Sequence, residues 1–240
     1  MKWMMTSKES AAEELAQRIC VWATARQRDS ARGALLLPTG STPLPLFSGL
    51  RQLAVQGSLT SAGWMSFNLD EYWPCAPSDP ISFRSFMDRE LFAPCGIADE
   101  QIAFLDGTCP EAELAAHCAA YEEAMVAAGG IDLAVVGVGV NGHLAFNEPG
   151  TPWDSRTRRV SLAQTTRARP GFPGGTEHGP TEALTVGIGT ILDAREIVLL
   201  AFGEAKAEAV RELREGEPSE AWPVTALQTH PKVTVYTDCC

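Results

Sequence analysis

Apolar positions come in short blocks whose period changes along the chain. From about residue 10 to residue 27 they fall at helical spacing, and Thr6 with Glu9, or Ser10 with Glu13, supplies a capping box ahead of them. Residues 34–37 are an unbroken apolar run closed by Pro38, which reads as a buried strand. Thr42 and Pro43 open the next helix, because proline suits a first helical turn. Farther on, 65–69 reads as a strand, 81–92 and 110–128 as helices, and 131–138 as a β-branched strand closed by glycines. Residues 158–162 read as a strand, 182–193 as a helix despite Gly187 and Gly189, 196–202 as a strand, 204–215 as a helix and 232–236 as the last strand. Strands alternating with helices predict an α/β fold: one doubly wound, Rossmann-like, mostly parallel sheet with helices on both faces. Such sheets bind ligands beyond the carboxyl ends of their strands. The polar and glycine-rich segments fall there, after Leu37, Leu69 and Val138.

The 240 residues, 45% hydrophobic and 20% charged, suit one domain over 1–240. The stretch 167–180 is rich in Pro and Gly and long for a loop, so 165–180 reads as a lid. Lys2 is not followed by an apolar signal segment, and no run of about 18 apolar residues could span a membrane. A formal net charge of −11 argues against nucleic acid and anionic lipid as partners. If the ligand is a phosphate ester, its positive surroundings must come from a few local residues and backbone N–H groups. Seven cysteines, an odd number without metal-ligand spacing, fit a reduced cytoplasmic chain. A redox role for adjacent Cys239 and Cys240 is the alternative. A homo-oligomer stays open.

Four segments carry chemistry. In Pro38-Thr39-Gly40-Ser41-Thr42-Pro43, Gly40 permits positive φ, and hydroxyls and N–H groups at a helix start can cradle an anion. An ordinary capped turn would look the same. In Phe67-Asn68-Leu69-Asp70-Glu71-Tyr72, strand alternation sends Asp70 and Glu71 to different sides, so at most one faces the cleft. A solvated acidic loop is the competing reading. The third segment runs from Gly137 to Pro149. Gly137, Gly139 and Gly142 match a dinucleotide fingerprint, but Pro149 interrupts the helix it needs and the ribose-binding acid is missing. The alternative is a glycine turn that presents His143 and Glu148 to one cleft for acid–base work. Fourth, Phe202-Gly203-Glu204-Ala205-Lys206 places a lysine at a strand-to-helix joint, either a surface charge or a point-charge anion ligand.

Together these segments resemble the glucosamine-6-phosphate deaminase (isomerase) family, within the superfamily that also holds the 6-phosphogluconolactonases. The resemblance rests on PTGSTP, FNLDEYW, Ser82-Phe83-Arg84-Ser85-Phe86, NGHLAFNEPG, ALTVGIGTIL, FGEAKAEAV and ALQTHP, in order along nearly the whole chain. It implies isomerisation and deamination of a 2-amino-2-deoxyhexose 6-phosphate, foremost glucosamine 6-phosphate, with no cofactor and no metal. It assigns Asp70 as the base between C2 and C1, His143 as the ring-opening group, Glu148 as its carboxylate partner and Asn141 as a residue that orients the imidazole. Thr39, Gly40, Ser41, Thr42 and Lys206 become the phosphate and sugar cradle. The related lactonases lack the FNEP ending, so Glu148 selects deaminase over lactonase. Two features depart from the family. The lid reads Thr166-Arg167-Ala168-Arg169-Pro170-Gly171-Phe172 where many members carry an Arg-Phe phosphate clasp, so Arg167 or Arg169 substitutes or the clasp is missing. Allosterically regulated members have a longer tail and a basic residue near position 160, where Val160 stands here.

This chemistry needs those residue types. A histidine titrating near neutrality can open the ring, and a partner fixes its tautomer. An aspartate is a weak base, so partial burial, with Tyr72 and Trp73 as shields, should raise it. The alternatives are the galactosamine epimer as substrate, a lactonase-like hydrolase, and a non-catalytic sugar-phosphate sensor.

Overall fold

The computed structural model describes residues 1–28, 33–168 and 172–239. Ten strands can be numbered along the chain: β1 (Lys2–Met5), β2 (Gly33–Leu37), β3 (Trp64–Asn68), β4 (Asp70–Trp73), β5 (Ile102–Ala103), β6 (Leu133–Gly137), β7 (Arg158–Ser161), β8 (Glu182–Thr185), β9 (Ile197–Ala201) and β10 (Val233–Thr237). Seven make one sheet in the order β1-β10-β9-β6-β2-β3-β5, with every pairing parallel. This is the predicted mostly parallel sheet.

Residue alternation explains why it is covered on both faces. In β2, Ala34 and Leu36 face one core and Leu35 and Leu37 the other; β6 and β9 divide in the same way. Helices Leu114–Ala127 and Ala207–Glu215 close the first core, and Lys8–Arg28 and Leu44–Val55 close the second. An unbroken apolar run is what a strand buried on both faces requires. None of the described helices is long and apolar enough to cross a membrane.

After β2 the chain adds β3 on one side, and later β6 on the other. The winding therefore reverses between β2 and β6, where loops leaving two adjacent strands part and open a crevice.

The structure corrects several expected elements. Residues 182–193 are not one helix. Glu182–Thr185 is β8, the middle of a three-stranded antiparallel sheet ordered β4-β8-β7. Ala183 and Leu184 are fully buried and serve different cores, a period of two that a helix could not satisfy. Helix Ile188–Leu192 begins only after Gly187, whose backbone lies so close to the Ser155 carbonyl that no side chain would fit. Strands β1, β4 and β5 were not anticipated; β1 and β5 are edges, and β5 has only two residues. Residues 81–92 form helix Phe83–Met87 and then a wider π turn, Asp88–Phe92. Neither expected capping box starts the first helix: Ser7 Oγ accepts the Ser10 N–H at 3.1 Å. Part of the expected lid, 169–171, and Cys240 lie outside the described residues. The rest of that segment contains two short helices, Gln164–Arg167 and Gly175–His178.

Candidate active site

A cavity of about 970 Å³ opens over the carboxyl ends of the parallel strands. Its walls come from the loops after β2 (Pro38–Thr42), β3 (Leu69, Asp70), β6 (Gly137–Asn141, His143) and β9 (Phe202, Gly203, Lys206). Thr39, Gly40, Ser41, Thr42, Asp70, Asn141, His143 and Lys206, separated by up to 167 positions in the chain, are thus brought to one crevice.

The cradle follows from local backbone geometry. Gly40 sits at φ +85°, a left-handed conformation that favours glycine, so the chain can turn sharply off β2. Helix Leu44–Val55 then starts from Pro43 with no side chain capping its first turn. Its amide end is a place for negative charge. Lys206 adds a cation, and Lys8 adds another from a distant part of the sequence, its Nζ donating to the Ser41 carbonyl at 2.8 Å. Lys8 was not among the expected residues. A sequence signal was present: a lysine in the first turn of a helix opposes the macrodipole and calls for another partner.

Asp70 owes its place to a change of sheet. The Leu69 N–H bonds the Leu37 carbonyl (3.1 Å) in the large sheet, and the Leu69 carbonyl accepts from Val186 (2.8 Å) beyond β8. Asp70 is therefore the first residue of β4 and the last before the crevice. Tyr121 bolts the end of β3 just upstream: its hydroxyl accepts the Asn68 N–H (2.8 Å) and donates to the Asn68 carbonyl (2.9 Å). Burial pushes the Tyr121 phenol well above its ordinary range, so it stays a neutral bolt.

Glu71 turns the other way, as strand alternation requires. The residue is 1% exposed, and its carboxylate accepts from Ser82 Oγ (2.7 Å) and the N–H groups of Tyr72 (2.8 Å), Phe83 (2.9 Å) and Arg84 (2.9 Å). Burial lifts its pKa, while the Ser82 hydroxyl and the three amides pull against that rise. Glu71 fastens β4 to the start of helix Phe83–Met87 and does not line the cavity. Tyr72 and Trp73, the two rings expected to shield Asp70, go to different surroundings. Tyr72 packs on Phe83 and Phe146, with ring centroids 4.5 and 6.0 Å away, and those two rings line the cavity. Trp73 packs at the edge of the first core, donating to the Cys109 carbonyl and stacking under Arg159.

The loop after β6 gives its glycines a purpose other than a dinucleotide. A side chain on Gly139 would meet the His143 ring at 2.1–2.5 Å, so the imidazole lies directly on the bare backbone. Asn147 fixes the far end, donating to the carbonyls of Leu144 (2.9 Å) and Val186 (2.8 Å). Between them runs a relay. Asn141 Oδ1 meets His143 Nδ1 at 2.7 Å, and Asn141 Nδ2 donates to Glu148 Oε2 at 2.7 Å. Glu148 itself is 3.7 Å from His143 Nδ1 and does not line the cavity. Glu148, the expected carboxylate partner, is thus hydrogen-bonded to His143 through Asn141, the residue expected to orient the imidazole. A carboxylate only accepts, so the amide nitrogen must face Glu148 and the amide oxygen must face His143. Nδ1 then carries the proton, and in the neutral ring Nε2 carries the lone pair.

Arg167 is not brought to the cavity. Its guanidinium donates to the Thr176 carbonyl within the expected lid, where the two short helices pack on each other. Arg169 lies outside the described residues. The neighbouring Thr165 and Thr166 do line the cavity, and Thr166 Oγ1 donates to Glu148 Oε1 at 2.6 Å.

Comparison with known proteins gives a consistent result. A sequence profile for glucosamine-6-phosphate isomerases/6-phosphogluconolactonase matches residues 6–236. A glucosamine-6-phosphate deaminase of Lysinibacillus sphaericus is 40% identical over 236 residues, covering 98% of each chain. One from Porphyromonas gingivalis is 44% identical over 204 residues, 84% of this chain and 77% of that one. Among solved structures, a monomeric glucosamine-6-phosphate deaminase superposes with TM-score 0.92 at 34% identity, covering 99% of this chain and 97% of its own. A 6-phosphogluconolactonase from Thermotoga maritima superposes with TM-score 0.71 at 20% identity, a likeness of fold.

Proposed function

The chain belongs to the family of glucosamine-6-phosphate isomerases and 6-phosphogluconolactonases, and from that premise we propose that it converts glucosamine 6-phosphate and water into fructose 6-phosphate and ammonia. The observation that carries this reading is the His143–Asn141–Glu148 relay, which ends on the same cavity as Asp70 and the anion cradle. Relatives named as deaminases at 40–44% identity support it.

The chemistry follows in order. The phosphate sits against the amide end of helix Leu44–Val55, with Gly40, Ser41, Thr42 and Lys206 around it and Lys8 as a second cation. Charge-assisted hydrogen bonds of roughly 1.5–3 kcal/mol each hold the sugar in orientation. His143 Nε2 takes the proton of the anomeric hydroxyl and returns one to the ring oxygen, while Asn141 and Glu148 steady the imidazole through both protonation states. Asp70 then lifts the proton from C2, the C1–C2 double bond forms, and a proton is delivered to C1. The product of that transfer is the 2-imine of the ketose. Water adds at C2, the C–N bond breaks and ammonia leaves, so one water is consumed for each ammonia released and the reaction is formally a hydrolysis. These steps move protons and electron pairs but need no net oxidant or reductant. Residues 1–240 act as one domain in this reading, with 165–180 as its lid. A phosphorylated substrate that does not cross membranes fits a cytoplasmic enzyme.

The lactonase reading would use the same fold and cradle on a sugar lactone, without ammonia. Glu148, fixed by Asn141 and Thr166, favours the deaminase. A panel of glucosamine 6-phosphate, galactosamine 6-phosphate and 6-phosphogluconolactone separates these readings. The expected result is ammonia and ketose phosphate in equal amounts from glucosamine 6-phosphate. Lactone hydrolysis without ammonia from any amino sugar would overturn it.

A further inference from the structure

We propose that Thr166 is a positioning residue of the ring-opening relay, the link through which the helix Gln164–Arg167 sets the orientation of Glu148; this rests on the activity proposed above. Glu148 is not among the residues that line the cavity, and its hydrogen-bonded connection to His143 runs through Asn141. Its two oxygens are taken by two different segments. Oε2 accepts from Asn141 Nδ2 at 2.7 Å, inside its own loop, and Oε1 accepts from Thr166 Oγ1 at 2.6 Å, across 18 positions of chain. One donor alone would leave the carboxylate plane able to rotate about its last bond. Two donors on opposite oxygens fix that plane, and with it the direction in which Asn141 turns its amide oxygen toward His143.

Thr166 is suited to that task. It is 4% exposed, so water does not compete strongly for its hydroxyl. The backbone that carries it is held by the Arg167 N–H to the Ala163 carbonyl (3.0 Å) and by the Arg167 guanidinium to the Thr176 carbonyl. Thr165, one residue earlier, lines the cavity with it. A ligand that presses on this wall therefore touches the same short helix that orients the relay. Two threonines in a four-residue helix are poor choices for helix stability, which fits side chains selected for their hydroxyls.

The test compares Thr166→Val, which keeps the shape and removes the donor, with Thr166→Ser, which keeps the donor. For each, kcat and KM on glucosamine 6-phosphate, the melting temperature and the His143 imidazole nitrogen shifts without substrate are measured. The valine variant is expected to lose about tenfold in kcat, the size of one charge-assisted hydrogen bond. Its KM should stay within about twofold, because uniform binding is made elsewhere. Its His143 shifts should move from the Nδ1–H tautomer to a mixture, and serine should restore both kcat and tautomer. A valine variant with wild-type kcat and tautomer would overturn the proposal. So would a serine variant that loses kcat and melting temperature together with valine, because packing alone would then explain the effect. Wild type that fails to turn over this sugar, while valine still shifts the His143 tautomer, would remove the proposed activity and leave the role of Thr166 standing.

Discussion

Glu71 in the antiparallel sheet and Glu148 on the rim of the parallel sheet are both carboxylates held by several donors, and the origin of those donors separates their roles. Glu71 takes four, from its own strand and one helix start whose Phe83 lines the cavity, but Glu71 itself does not line it. Glu148 takes two, from two segments that both line the cavity, and one of them continues to His143. The first arrangement closes on itself and fastens one piece of chain to another. The second ends on His143, which lines the cavity. Asp70 stands at the boundary between these regions, where the chain leaves one sheet for the other.

That division is easiest to break at its boundary. Asp70→Asn keeps the shape and removes the base, so kcat should fall by at least about 10²-fold. KM should change little, and steady-state kinetics on glucosamine 6-phosphate would show it. Glu71→Ala leaves four donors unsatisfied in a buried site and should cost about 3 kcal/mol of stability or more. Chemical denaturation measures this, and an unchanged midpoint would mean Glu71 is not the fastener described. Glu148→Gln should keep most of the stability and lose about tenfold in kcat, because an amide cannot accept on both sides. If Glu148→Gln proved as unstable as Glu71→Ala, the contrast between the two sites would collapse. The smallest effects belong to the cradle. Lys206→Ala should raise KM about tenfold with kcat nearly kept, and Lys8→Ala, whose ammonium is already engaged by the Ser41 carbonyl, about threefold. Equal effects would make the two lysines equivalent partners of the phosphate.

Legibility followed physical cause. The strands β2, β6 and β9 were readable because burial on both faces leaves unbroken apolar runs, and β3 and β10 because apolar and aromatic residues dominate short segments between turns. Strand β8 was not, because Glu182 to Thr185 is short and the glycines after it resemble a weak helix more than a turn. Its identity depends on β4 and β7, which approach from more than 100 and about 20 positions away. In the site, the loops after Leu37, Leu69 and Val138 and the joint at Lys206 were readable as strand-end segments, and all four reach one cavity. The middle place of Asn141 was not, because spacing alone does not say which of two polar side chains lies nearer the imidazole. Lys8 and Thr166 become neighbours of the site only through the packing of the first helix and of the short helix Gln164–Arg167. Arg167 carried the right chemistry and points elsewhere, toward the Thr176 carbonyl.

In the proposed reaction Asp70 is the group that carries a proton between C2 and C1. Turnover in heavy water tests that most directly, with deuterium at C1 of the ketose phosphate read by mass spectrometry and proton NMR. Wild type should incorporate solvent deuterium in at least part of the product, and in Asp70→Asn turnover and incorporation should fall together by at least about 10²-fold. An Asp70→Asn protein that still exchanges and turns over at the wild-type rate would contradict the assignment and return the base to another residue on the cavity wall.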